Sequence, residues 1–110
     1  MTTYTPDVWV VLEFTDPSMT TPVRKVFAGW YGGYTQGDSW QLNSGIAKVR
    51  AYTNYYEFDG YSGSVYRCNQ ADYRTSGFMR TALERWTQKA TQQGGGVKIR
   101  ILDIAEVALL

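Results

Sequence analysis

Cys68 is the one side chain in this sequence that could act as a strong nucleophile, and the sequence contains no histidine to activate it. A thiol attacks as its thiolate and needs a neighbouring cation or base to form one. Arg67 is adjacent in sequence, but successive residues of a strand point to opposite faces. Among apolar neighbours a lone cysteine reads as a small core residue. The absence of histidine also removes the commonest general base and a common zinc ligand. Glu57 and Asp59 share a face if Tyr55–Asp59 is a strand, and Asp38 or Asp72 could approach them. Such carboxylates could hold a divalent cation, but no calcium-loop or metallohydrolase spacing is present, and solvated strand-edge charge is the simpler reading. No catalytic residue, metal ligand or cofactor is expected.

Binding chemistry is better represented. Seventeen of 110 residues are aromatic, and eleven of these fall between Trp30 and Tyr73. A core of this size does not absorb so many rings, and a tyrosine hydroxyl must be hydrogen-bonded or wet. Some rings are therefore expected at a groove or interface, where tyrosine, tryptophan and arginine concentrate. The loop Gly60-Tyr61-Ser62-Gly63-Ser64 lacks the Walker and dinucleotide patterns. Its hydroxyls at Ser62 and Ser64 and its glycine-flanked amides suit an anion-binding concavity, with Arg67 three residues on. A hairpin turn uses the same residues for geometry alone.

The elements that must position these groups read as one α+β domain over residues 1–110. Strands are expected at Val8–Phe14, Val23–Tyr31, Trp40–Val49, Tyr55–Phe58 and Ser64–Cys68, forming an antiparallel sheet of about four to five strands. Turn signals stand at Gly32-Gly33 and Gln36-Gly37-Asp38. Phe78, Ala82, Trp86 and Ala90, with Met79 and Leu83, form the apolar stripe of one main C-terminal helix. Thr75 or Ser76 is placed to cap its start, and Gly94-Gly95-Gly96 to end it. A short strand, Val97 to Ile101, follows, and the apolar stretch Ile104–Leu110 is expected to dock, on this subunit or another.

Charge restricts the partners. The net charge is +1, so there is no broad field and no long nucleic-acid track. Residues 1–60 carry four basic and six acidic side chains, and residues 61–110 carry seven and four, with Arg67, Arg74, Arg80 and Arg85 among the basic ones. A local anion site in the second half follows. No stretch is long enough to cross a membrane, and the start lacks signal-peptide character, so a cytoplasmic location is expected.

The stretches Trp40-Gln41-Leu42-Asn43-Ser44-Gly45-Ile46, Tyr55-Tyr56-Glu57-Phe58 and Gly60-Tyr61-Ser62-Gly63-Ser64-Val65-Tyr66-Arg67-Cys68 resemble small accessory proteins of tailed bacteriophages. The likeness spans roughly residues 38–75, about a third of the chain. The order of elements is similar to that of the Thoeris anti-defence and anti-CBASS nucleotide sponges. That resemblance implies an oligomeric immune-evasion protein of the host bacterial cytoplasm. It would sequester a small anionic nucleotide, of cyclic-nucleotide or cyclic ADP-ribose type, without cleaving it. The family's pockets use an aromatic ring, an asparagine and arginines, and Asn43, Tyr66, Arg67, Asn69 and Phe78 are compatible residue types. On the sponge reading Trp30, Tyr66 or Phe78 would stack, Arg67 and Arg80 would contact phosphates, and Asn43 or Ser64, with Ser62 in the same loop, would make polar contacts. Two alternatives stay open: an inhibitor of a host nuclease or defence complex, in the manner of anti-CRISPR proteins, and a small metal-dependent hydrolase.

Overall fold

Val8-Trp9-Val10-Val11-Leu12 is apolar without interruption, as a strand covered on both faces must be. All five residues are 0–2% exposed. A computed structural model describes residues 2–32 and 37–110, and this run lies at its centre. Strand β1 is Thr3–Tyr4, β2 Val8–Thr15, β3 Val23–Trp30, β4 Ser39–Leu42, β5 Ile46–Ala51, β6 Tyr55–Gly60 and β7 Val65–Asn69. Helix α1 (Gly77–Gln93), strand β8 (Lys98–Ile101) and a short helix α2 (Ile104–Val107) complete the chain.

The fold is α+β, mostly strand, with one main helix and a short C-terminal strand. Its strands make two four-stranded sheets rather than one. Sheet A has the order β1-β7-β6-β5 and sheet B the order β4-β3-β2-β8. Among the described residues every strand-to-strand pairing is antiparallel except β1 with β7. Trp9 and Val11 face sheet A, where they meet Tyr56, Phe58, Tyr66 and Cys68. Val8, Val10 and Leu12 face α1 and meet Phe27 and Met79. The result is three layers: sheet A, sheet B and helix.

Where one strand was expected over Trp40–Val49, the chain breaks at Asn43–Gly45 and changes sheet. Asn43 is the cause. Its backbone amide donates to the Val26 carbonyl at 3.0 Å, and its Oδ1 accepts from the amides of Val26 at 2.8 Å and Gly45 at 3.2 Å. Those bonds anchor the corner to β3, and Gly45, at φ +130°, takes a backbone angle other residues rarely adopt. Gly33 and Gln36 of the expected turn lie outside the described residues. The antiparallel pairing of Trp30 with Ser39 makes β3 and β4 a hairpin.

Helix α1 is capped by Ser76, whose Oγ accepts from the Met79 amide at 3.2 Å, and it ends at Gly94. Met79 and Trp86 carry its packing; the Trp86 ring lies 4.9 Å from Trp40 and 5.2 Å from Phe27. Phe78, assigned to the same stripe, is 50% exposed. Leu102 and Val107 dock onto the core between the sheets, whereas Ile104 and Leu109 stay exposed. Among the described residues no helix is long and apolar enough to cross a membrane.

Candidate functional site

Alternation along sheet A sends Tyr56 and Phe58 inward and Tyr55, Glu57 and Asp59 to the outer face. Register puts Arg50 of β5 and Arg67 of β7 on either side of Glu57. Arg50 holds Asp59 with both terminal nitrogens, at 2.6 and 2.7 Å, and reaches Glu57 through Nε at 3.4 Å. Arg67 bonds Glu57 at 2.9 Å, and its guanidinium sits 5.4 Å from the Tyr55 ring centre. Tyr55 in turn stacks on Tyr52, 4.6 Å away. The guanidiniums of Arg67 and Arg50 hold the Glu57 carboxyl below its ordinary range, and Arg50 does the same for Asp59. Carboxylates so engaged are poor proton donors and have little charge left for a cation. A phosphate would have to compete with Glu57 for Arg67.

Cys68 is fully buried, and burial pushes its thiol well above the usual range. Among the described residues, no group of three or more potential metal ligands occurs, and no buried side-chain polar atom lacks a partner.

The eight residues expected to bind ligand fall in four places. Trp30 and Tyr66 come together through Tyr4, whose ring lies 6.2 Å from Trp30 and 5.0 Å from Tyr66. Tyr66 is 1% exposed, and desolvation pushes its hydroxyl up to about 12. It is a core ring with no open face for stacking. Asn43, 4% exposed, spends its amide on the sheet-to-sheet corner, with Ser62 and Ser64 in the adjoining turn. That turn is internally satisfied. The amides of Tyr61, Ser62 and Gly63 donate to Gly45 O, Ser44 Oγ and Gly60 O, which leaves none of these three for an anion. Arg67 stands on the outer face of sheet A. Phe78 and Arg80 lie on α1, beyond sheet B; the Arg80 side chain donates to the Thr75 carbonyl at 3.5 Å.

A different set of residues converges. At the open side of the two-sheet core, a cleft of about 480 Å³ lies between the start of β3 and the free edge of β5. Thr21, Arg24, Ile46, Lys48, Val49 and Tyr61 line it. Val49 and Ile46 supply the apolar wall. Arg24 is held by Glu13 at 3.0 Å, while the Lys48 ammonium makes no ion pair among the described residues. Tyr61, 75% exposed, lies over Gly45, where an added Cβ would come within 2.9 Å of the ring. The smallest residue at the corner is what lets this ring lie down beside the cleft. Tyr61 is legible in the sequence as part of its turn, whereas Arg24 and Lys48 carry no local signal of a site. Only their opposition across two sheets, which no local pattern encodes, brings them together.

Comparison with known proteins finds no family model, no curated protein and no solved structure that matches this chain.

Proposed function

We propose that this chain is a binding protein that holds a small anionic, ring-bearing molecule, of cyclic-nucleotide or cyclic ADP-ribose type, without cleaving it. The observation that carries the reading is the cleft between β3 and β5. It brings an exposed ring, Tyr61, and the strand-edge residue Lys48, which makes no ion pair among the described residues, to one opening with apolar walls. Its volume of about 480 Å³ falls within the range of small-molecule pockets. Tyr61 would stack on the ligand's ring, Lys48 would meet its charge, and Thr21 would offer a hydroxyl. The buried thiol of Cys68 and the ion-paired Glu57 and Asp59 favour retention over turnover. The resemblance to phage nucleotide sponges supplies the setting, immune evasion inside an infected bacterium.

The test is to incubate purified protein with a panel of cyclic nucleotides and cyclic ADP-ribose isomers. Free ligand is followed by chromatography before and after heat denaturation. Depletion followed by recovery of the intact molecule is expected. Lys48→Ala and Tyr61→Ala should each weaken retention by about tenfold, the scale of one charged contact or one stacked ring. Arg67→Ala should leave it unchanged. A new product in place of the recovered ligand, or no depletion across the panel, overturns the reading.

A further inference from the structure

The edges of the two sheets differ in what they leave open. Strand β1 has two residues, and β4 and β8 have four each. Among the described residues strand β5 is the longest edge, six residues, and borders sheet A with no hydrogen-bonded strand on its outer side. Its hydrogen-bonding phase follows from the hairpin to β6. The Tyr52 amide donates to the Tyr55 carbonyl at 2.9 Å, which closes the turn as a bonded pair. Counting back in steps of two, Arg50 and Lys48 bond to Glu57 and Asp59. Val49 and Ala51 therefore turn their N–H and C=O groups away from β6, to the open edge. No other hydrogen bond among the described residues uses them.

These backbone groups are flanked by side chains of one character on each face. Lys48 and Arg50 point to the outer face of sheet A, and Val49 and Ala51 to the inner one. Arg50 is occupied by Asp59 and Glu57, and Lys48, which stands across from Asp59, makes no ion pair among the described residues. The outer row of this edge thus offers one ammonium, that of Lys48, beside an Arg50 already paired, and the inner row is apolar.

We propose that β5 is a strand-addition site for an extended segment of a partner protein in which acidic and apolar residues alternate. Main-chain bonds to Val49 and Ala51 would supply affinity, and the alternation would supply specificity. Acidic side chains of the incoming strand would lie beside Lys48 and Arg50, and apolar ones beside Val49 and Ala51. A second copy of this chain is disfavoured. Two-fold pairing about Arg50 sets that residue against its own copy with Lys48 close by, and like charges directly opposite are destabilising. A bulge between Ile46 and Lys48 and a lysine on the rim are devices that blunt an edge against indiscriminate pairing. The bulge stops short of Val49–Ala51, and the lysine selects for acidic strands. An added strand would share Lys48 and Val49 with the cleft, whereas Ala51 lies outside the cleft lining, so a variant at Ala51 tells the two readings apart.

The test uses the whole chain and two short labelled peptides, one alternating glutamate with valine and the other lysine with valine. Fluorescence anisotropy should show binding of the first and not the second, and Lys48→Glu should reverse the order. Ala51→Pro should weaken the first peptide by about tenfold or more, because proline removes an edge donor that the fold itself does not use. The same variant should still deplete a small ligand that the unaltered chain depletes. Amide exchange on the unaltered chain checks the idea should that variant fail to fold: the glutamate peptide should slow the Val49 and Ala51 amides. Equal binding of both peptides, fast exchange at those two amides with saturating peptide, or a dimer dissociated by Ala51→Pro would each overturn the proposal.

Discussion

Asn43 has the chemistry to read a ligand's polar edge, and the fold uses that chemistry on itself. Its Oδ1 takes the amides of Val26 and Gly45, both in buried surroundings. Asn43→Ala strands those two donors, so a loss of about 2–4 kcal/mol is expected. A urea unfolding curve with unchanged slope and a lowered midpoint would report it. The same tension runs through the other side chains. Cys68 was legible as a core residue because an isolated thiol among apolar neighbours has few other uses. The partners of Arg67 were not legible, since Glu57 and Tyr55 stand ten and twelve residues earlier and meet it only through the β6–β7 register. Sequence tells which side chains carry charge. Whether a charge remains available depends on who faces it.

At the scale of elements, local rules were enough wherever one neighbour decides the outcome. Ser76, one of the two residues whose position before the apolar stripe suits a cap, caps α1 and is itself buried. Ser76→Ala should cost about 1–2 kcal/mol, read as a lowered thermal midpoint with little change in room-temperature helix content. The apolar run of β2 marked a strand, and its coverage on both faces explains why it shows no alternation. The segment 40–49 misled because alternation continues across Asn43–Gly45 although the chain turns there. Period-2 patterning reports faces, and it is blind to a corner that passes the strand to a second sheet. The cleft was illegible for the same reason: its two walls belong to strands of different sheets.

For the whole molecule, one ion-pair chain links both ends of the sequence. Arg24, Glu13, Arg100 and Glu106 join β3, β2, β8 and α2 in succession. Arg100 and the Asp103 amide pull the Glu106 carboxyl from 4.5 down to about 2. A carboxyl depressed by folding stabilises the native state above its unfolded value, and that support is lost as pH falls toward the folded one. The thermal midpoint should therefore decline between about pH 4.5 and 2, with Glu57 and Asp59 adding in the same direction. Glu106→Gln should flatten that decline, measured as thermal midpoint against pH. The pairing of β2 with β8 has a further consequence, for synthesis. Glu13 and Arg100 are 87 residues apart, so a ribosome must extend the chain that far beyond β2 before sheet B can close. Until then the most apolar strand of the protein waits with one edge unpaired, and the nascent chain depends on its β2–β3 hairpin, or on a chaperone, to keep that strand out of mischief.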